Sequence, residues 1–187
     1  MKIHQRNQTC SLLLLLLVAI TANIVSASAQ NSVDRNIFLN CGSSSGLQYD
    51  LNGLPWEDDN DSAYDPDKKT VSVTPTTPDQ NPSVPTVPYM TARIFQTPYT
   101  YSFPVIPGHK FVRLHFYTSD YTSSTYLFNF NISLSFFSVS VGSHTLLNNF
   151  KAPLTNYIIK EFSVNISSNT LNLTFTPSPA NKNALPL

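Results

Sequence analysis

The sequence has little net charge, little cysteine and little glycine, and each shortage excludes a class of protein. Eleven Lys and Arg residues balance eleven Asp and Glu residues, so the chain has no basic footprint for nucleic acid. Its five glycines form no Gly-rich phosphate loop, and two cysteines are too few for a disulfide framework. These shortages favour a globular domain that is stabilised by one hydrophobic core.

Long hydrophobic runs are also lacking, apart from one near the N-terminus. The apolar run at 12–20 follows a basic start, is shorter than the ~20 residues of a membrane span, and precedes a small-residue cleavage site at 27–29. This pattern predicts a secretory signal peptide over 1–29 and a single domain over 30–187, with an uncleaved anchor as the alternative. The mature domain is therefore expected outside the cell.

Loss of the signal peptide would leave Cys41 as the one remaining cysteine. We interpret it as a small buried thiol, with a disulfide partner on another chain as the alternative. Residues 42–46 match the G-x-S-x-G pattern of hydrolases, which requires a strand, a sharp turn and a helix. No helical period follows, so we expect a Ser/Gly loop there and predict no catalytic residue.

Strand-like alternation dominates the middle of the chain. Residues 111–117 place Val112, Leu114 and Phe116 on one face and put His115 on the other. A Pro-Gly turn signal connects them to the similar run 99–103, which predicts a hairpin. We therefore expect Leu114 and Phe116 in the core and His115 at the surface.

Further alternating runs lie at 127–141, 158–166 and 170–176. In the first run the apolar phase changes at Phe136-Phe137, which indicates a bulge, a bend or a crossing between sheets. Many short strands separated by turn residues predict an all-β fold, an antiparallel β-sandwich, with a barrel as the nearest competitor.

Two segments between the strands have biased compositions. Six of the eleven acidic residues lie in 56–69, but a calcium-binding helix-loop-helix needs Gly and Glu where Ala63 and Lys69 stand. We therefore expect a solvated acidic loop and predict no metal site. Five prolines at 74–88 predict an extended surface connection, because proline lacks the backbone donor of a central strand.

Several segments of the mature chain carry a recognisable pattern. They are Asn40-Cys41-Gly42-Ser43, Asp50...Gly53...Trp56...Asp59, YMTARIF at 89–95, YTYSF at 99–103, PGHKFVRLHFY at 107–117, Leu146-Leu147...Asn149-Phe150, IKEF at 159–162 and LNLTFTPS at 171–178. In this order they resemble the extracellular malectin-like region of plant receptor kinases of the Feronia and Theseus group, and the resemblance covers nearly the whole mature chain. It implies the malectin-like, jelly-roll type of β-sandwich.

The resemblance implies an extracellular sensing module without a cofactor. Such modules bind cell-wall polysaccharide or secreted peptides of the rapid alkalinization type, in some cases with a lipid-anchored co-receptor. In the family a membrane span and a serine/threonine kinase follow, but HRD and DFG kinase motifs are absent from this sequence, so we expect no enzyme. A secreted decoy or soluble carbohydrate-binding protein without a kinase is the alternative.

Candidate site residues are aromatic side chains near acidic or turn residues, and sequons for N-glycosylation. The aromatic residues proposed for ligand contact are Trp56, Tyr64, Tyr117 and Tyr121. The sequons are at Asn60, Asn131, Asn165 and Asn172, of which the last three point outward according to the strand pattern. For His109, His115 and His144 we expect structural or surface roles, because no two of them share a ligand-like spacing.

Overall fold

The computed structural model describes residues 35–60, 63–64, 71–75, 81–94, 97–122, 129–131, 135–152 and 157–178, so the predicted signal peptide lies outside the described residues. The described part contains thirteen strands and a short helical segment, α1 (Thr86–Tyr89). The strands are β1 (Leu39–Asn40), β2 (Gln48–Tyr49), β3 (Pro55–Asp58), β4 (Val71–Pro75), β5 (Ala92–Ile94), β6 (Tyr99–Pro104), β7 (Gly108–Tyr117), β8 (Asp120–Thr122), β9 (Asn129–Asn131), β10 (Phe137–Val141), β11 (His144–Phe150), β12 (Tyr157–Ile166) and β13 (Thr170–Pro177).

The domain is built around a sandwich of two antiparallel sheets. One sheet has the strand order β11-β10-β13-β6, and the other is the pair β12-β7. Strands β7 and β12 pair along their full length, from Gly108 opposite Ile166 to Tyr117 opposite Tyr157. These observations confirm the predicted all-β sandwich.

The main core fills the space between these two sheets. Its members alternate along their strands with polar residues, because successive side chains of a strand point to opposite faces. Full burial of each such apolar side chain contributes about 1.5–3 kcal/mol. The buried members of this core are Val112, Leu114, Phe137, Val139, Val141, Ile166, Leu171 and Leu173.

Strand β7 follows the predicted alternation, but the predicted hairpin is wrong. Val112 and Leu114 are buried and Phe116 is half-buried against the core, while Phe111 on the opposite face is 78% exposed. However, β6 pairs with β13 and β7 pairs with β12. The Pro-Gly turn therefore connects a strand of one sheet to a strand of the other. Whether such a turn closes a hairpin or joins two sheets depends on strands that lie far away in the sequence.

The phase change at Phe136-Phe137 marks a crossing between sheets, one of the three predicted explanations. Strand β9 belongs to a four-stranded sheet with the order β5-β4-β8-β9, whereas β10 lies in the main sandwich. After β10 the chain turns at Gly142, and His144 returns opposite Val141.

A small N-terminal sheet has the strand order β1-β3-β2. Strand β3 pairs in parallel with β1, through Leu39 opposite Glu57, and antiparallel with β2, through Gln48 opposite Trp56. The Asn40 side chain donates to Gln48 over 2.9 Å and accepts from the Thr91 hydroxyl over 3.0 Å. These bonds join the small sheet to the segment that leads into β5.

A buried ion pair fixes the end of β3, and we call its residues the Asp59 cluster: Gly42, Asp59, Arg93 and Tyr101. Arg93 donates through Nε to Asp59 Oδ2 over 2.5 Å and through Nη2 to Oδ1 over 2.8 Å. Asp59 also accepts from the Gly42 amide and the Tyr101 hydroxyl, both over 2.8 Å. Its carboxylate is therefore compensated although the residue is 0% exposed.

The Asp59 cluster corrects the expectation of a fully solvated acidic loop. Asp59 belongs to the interior, and its partner Arg93 lies 34 positions away along the chain. Gly42 packs so closely that a Cβ there would lie 2.1 Å from the Ala92 carbonyl oxygen, and its φ is +77°. Only glycine fits that position, because both its backbone angle and its space exclude a side chain.

Candidate ligand-binding surface

Five aromatic side chains from separate segments meet on the outer face of β7 and β12. The Trp56 ring lies 5.5 Å from Phe38 and 5.2 Å from His115, and the Tyr89 ring lies 5.6 Å from His115 and 4.5 Å from Tyr157. We call these residues the aromatic cluster: Phe38, Trp56, Tyr89, His115 and Tyr157. The cluster attaches β3 and α1 to the outer face of the sandwich.

His115 is the polar centre of the aromatic cluster. Its Nδ1 lies 2.8 Å from the Tyr89 hydroxyl. Burial lowers the pKa of His115 to about 4, with a further lowering by the Arg113 charge and an opposing effect of Asp50. The imidazole is therefore neutral near pH 7. The alternation correctly placed His115 opposite the core, but the expectation that this side chain lies at the surface is wrong, because Trp56 and Tyr89 pack against its ring and leave it only partly exposed.

A tight turn projects from the small sheet beside the cluster, and we call residues Leu47–Leu54 the apolar loop. The Asp50 carboxylate accepts from the amides of Asn52 over 2.8 Å and Leu54 over 2.9 Å, and from Trp56 Nε1 over 3.2 Å. Desolvation acts to raise the Asp50 pKa, but these hydrogen bonds outweigh it and hold the pKa below its usual value. The loop is thus fixed by its own hydrogen bonds and anchored to the aromatic cluster.

The apolar loop turns large apolar side chains toward solvent. Leu51 at its tip is 86% exposed, Tyr49 is 62% exposed, Leu47 is 54% exposed and Leu54 is 37% exposed. Isolated exposed leucines are ordinary, whereas here four large apolar side chains are exposed within one short ordered segment, which makes the loop a candidate interaction surface.

A groove of about 330 Å³ lies beside β3, and we call it the acidic groove. Its lining comprises Arg35, Gly46, Leu47, Glu57, Asp58, Ala63 and Tyr64. Asp58 accepts from the Gly46 amide over 2.6 Å, and Arg35 donates to the Tyr64 hydroxyl over 2.7 Å. That hydrogen bond, together with the Glu57 charge, raises the Arg35 pKa.

The aromatic residues that sequence reasoning selected are distributed over two neighbourhoods. Trp56 belongs to the aromatic cluster, and Tyr117 packs beside Tyr89, while Tyr64 forms a wall of the acidic groove. Trp56, Tyr64 and Tyr117 are only 6%, 5% and 9% exposed. The Tyr121 side chain lies outside the described residues. Ligand contact by these four side chains stays a prediction.

Sequence reasoning missed the exposed leucines of the apolar loop. The apolar period of a strand or helix predicts which face a side chain occupies, whereas residues 47–54 contain only the two-residue strand β2 and a turn, so they show no period. The spacing Asp50, Asn52, Leu54 was the available signal, because Asp before two or more turn residues often accepts their backbone amides.

The sequons at Asn165 and Asn172 lie on exposed positions of β12 and β13, as the strand pattern predicted. Asn172 accepts from the Ser102 hydroxyl over 2.9 Å. Asn60 is exposed directly after the Asp59 cluster, whereas the Asn131 side chain lies outside the described residues. Glycosylation of the four sites stays a prediction.

The remaining candidates from the sequence are Cys41, His109, His144 and residues 42–46. The Cys41 thiol is half-buried, 3.6 Å from the Tyr101 hydroxyl, and His109 and His144 are exposed. Residues 42–46 lead into strand β2 and not into a helix, so they lack the framework of a hydrolase nucleophile. Within the described ranges, no three His, Cys, Asp or Glu side chains come together as metal ligands, and no helix is long and apolar enough to cross a bilayer.

The strand arrangement and the buried Asp59 cluster place the described part of the chain in the class of all-β sandwich domains. Residues 39–183 match the sequence profile of the malectin-like domain, and the chain belongs to this family.

The relatives of this chain are plant receptor kinases. The chain is 45% identical to the receptor-like protein kinase FERONIA of Arabidopsis thaliana, over 98% of this chain and 20% of that protein. It is 39% identical to ANXUR2 of the same plant, over 83% of this chain and 18% of that protein. The chain thus spans about a fifth of the length of these curated relatives.

Solved structures show the same fold. A crystal structure of the plant receptor-like kinase FER matches 79% of this chain and 38% of that chain, with a TM-score of 0.70 and 45% identity. The ANXUR2 extracellular domain matches 80% of this chain and 38% of that one, with a TM-score of 0.70 and 37% identity. FER in complex with the plant peptide RALF23 and LLG2 matches 83% of this chain and 38% of that chain, with a TM-score of 0.67 and 43% identity.

Proposed function

We propose that this domain recognises a secreted peptide of the RALF class outside the cell, as the malectin-like sensing module of a FERONIA-type receptor. An LLG-type co-receptor is the expected second partner. The complex of FER with RALF23 and LLG2 supports both partners, because this chain is 43% identical to FER over the matched part.

The exposed apolar loop is the observation that favours a peptide as the ligand. Leu51 and Leu47 offer aliphatic side chains to a partner, and such surfaces suit the apolar anchors of peptides and proteins. Sugar binding typically uses exposed aromatic ring faces together with polar groups. Trp56, Tyr64 and Tyr117 do not offer such faces, because each is at most 9% exposed.

Cell-wall carbohydrate is the second candidate ligand, and Tyr49 is the observation that favours it. This tyrosine is 62% exposed on the apolar loop, and its ring is large and rigid enough to stack on a sugar. A Tyr49→Ala variant separates the two candidates, because it removes the ring and keeps the exposed leucines.

Binding measurements with purified protein test the proposal. The chain is secreted from plant cells and titrated calorimetrically with synthetic RALF23, alone and with LLG2, and in parallel with cell-wall oligosaccharides. We expect saturable binding of RALF23 that LLG2 strengthens. Absence of RALF23 binding under both conditions, with or without binding of an oligosaccharide, would overturn the peptide proposal.

A further inference from the structure

We infer that the apolar loop and the acidic groove form one continuous docking site, whose occupant is a peptide segment that carries apolar side chains next to a Lys or Arg. This inference rests on the proposed function and deepens it by assigning the site and the chemistry of the ligand.

The two surfaces are physically continuous. Leu47 belongs to the apolar loop and also lines the acidic groove. The Gly46 amide, one residue before it, is bonded to Asp58 in the groove. A ligand side chain that packs on Leu47 therefore lies next to the groove that Glu57 and Asp58 line.

The site is also fixed before a ligand arrives. The Asp50 hydrogen bonds hold the tip of the apolar loop, and the pairing of β2 with β3 holds its base. A surface that is already ordered loses less conformational entropy on binding, which improves affinity without additional contacts.

The charge of the groove specifies a basic ligand group. Glu57 and Asp58 line the groove together with Arg35, whose guanidinium stays cationic while it donates to the Tyr64 hydroxyl, so these three side chains together carry one net negative charge. In the sequence, residues 57–67 contain six acidic residues and no Lys or Arg, and Arg93 compensates Asp59 within the interior. A Lys or Arg side chain of a peptide would form charge-assisted hydrogen bonds with the remaining carboxylates.

A glycan placed on the apolar loop provides the first test. Leu54→Thr completes an N-glycosylation sequon that begins at the exposed Asn52, and Leu54→Val is the matched control without a sequon. A glycan on Asn52 should weaken RALF23 binding by about tenfold or more, since buried contacts at an interface centre dominate affinity. The added glycan is verified by mass, and combining Asn52→Gln with Leu54→Thr should restore binding.

A charge reversal in the groove provides the second test. Glu57→Lys should weaken RALF23 binding by about threefold to tenfold, since like charges across an interface are unfavourable. The matched control is Glu161→Lys, which reverses an exposed glutamate on β12. A RALF23 derivative with every Lys and Arg replaced by Gln should bind the wild-type domain more weakly and should not distinguish Glu57→Lys from wild type.

The outcomes separate the site from the function. Unchanged RALF23 binding by both the glycosylated variant and Glu57→Lys would overturn this site and leave the peptide function intact. If Glu161→Lys lost RALF23 binding and Glu57→Lys did not, the binding site would lie on the outer face of β12. That result would overturn the inference as well. No RALF23 binding by the wild-type domain would remove the function and the site together.

Discussion

The Arg93–Asp59 pair and the Arg113–Glu161 pair use the same chemical groups in opposite surroundings. The side chains of Arg93 and Asp59 are 4% and 0% exposed, whereas those of Arg113 and Glu161 are 56% and 46% exposed. Glu161 accepts from both Nε and Nη2 of Arg113, so both pairs use two donors of one guanidinium. They differ chiefly in access to water, which decides their importance for stability.

The comparison shows where this domain depends on individual residues. The buried pair links β3 to β5 and, through Tyr101, to β6 of the main sandwich. It therefore holds the base of the acidic groove, because Asp58 directly precedes Asp59. The exposed pair links β7 and β12, which already share a continuous ladder of backbone bonds.

The largest effect is expected for breaking the buried pair. Asp59→Asn or Arg93→Ala leaves one buried charge without its partner and should reduce the free energy of unfolding by about 3–5 kcal/mol. Denaturant melts of the secreted variants measure this loss. A loss below about 1 kcal/mol for Arg93→Ala would contradict the assigned role.

The next effect concerns the core face of β7. Leu114→Ala should reduce the free energy of unfolding by about 2–5 kcal/mol, because the buried side chain leaves a cavity between the two sheets. The same melts measure it, and Leu114→Met is the volume-conserving control. Near-wild-type stability of Leu114→Ala would show that the sheets do not pack through this residue.

His115→Gln tests a covered side chain on the same outer face of β7 as the exposed Arg113. Trp56 and Tyr89 cover His115. We expect a loss of about 1–3 kcal/mol near pH 7, as the bond with the Tyr89 hydroxyl and the contact with Trp56 are removed. Urea melts compare it with Arg113→Ala. Equal, small effects of the two changes would mean that the aromatic cluster contributes little.

The same residue predicts a pH dependence of stability. The folded-state pKa of about 4 lies below the ordinary value of 6.5, so the unfolded chain binds a proton at His115 that the folded chain does not bind between these values. Stability should therefore fall as the pH is lowered from about 6.5 to about 4, and the fall should be shallower in His115→Gln. Identical pH profiles of the two proteins would contradict the burial of this imidazole.

Among the charged contacts, the exposed Arg113–Glu161 pair should contribute least to the free energy of unfolding. Arg113→Ala and Glu161→Gln should each change the free energy of unfolding by less than about 1 kcal/mol, because water screens the pair and solvates the remaining partner. Melts at low and high salt measure this effect and its screening. A loss as large as that of Arg93→Ala would remove the distinction between the two pairs.

The sequons at Asn165 on β12 and Asn172 on β13 test whether these positions are exposed, and we expect no cost in stability from their substitution. Asn165→Gln and Asn172→Gln should each remove one glycan from the secreted protein and leave the melting curve within about 0.5 kcal/mol of wild type. Mass spectrometry of the intact protein measures the change. A mass that neither substitution alters would contradict the predicted glycosylation of these two positions.

The sequence correctly predicted which side chains of a strand are buried, because burial follows the local alternation. It did not predict contacts between segments that are distant in the chain. Alternation placed Leu114, Leu171 and Leu173 in the core, and the motif residues identified the family. The period of β7 contains no information about which strand lies beside it, so the expected hairpin was wrong. Likewise, the exposed Arg113 and the covered His115 share one face in the pattern, and only the tertiary arrangement of Trp56 and Tyr89 distinguishes them.

The central claim is that a peptide ligand docks on the apolar loop and the acidic groove. Hydrogen-exchange mass spectrometry of the secreted domain, with and without RALF23 and LLG2, tests it most directly. We expect slower exchange over residues 46–58 when the peptide is bound, with little change over 157–166 and 170–177. Protection confined to those two strands, with 46–58 unaffected by the bound peptide, would contradict it.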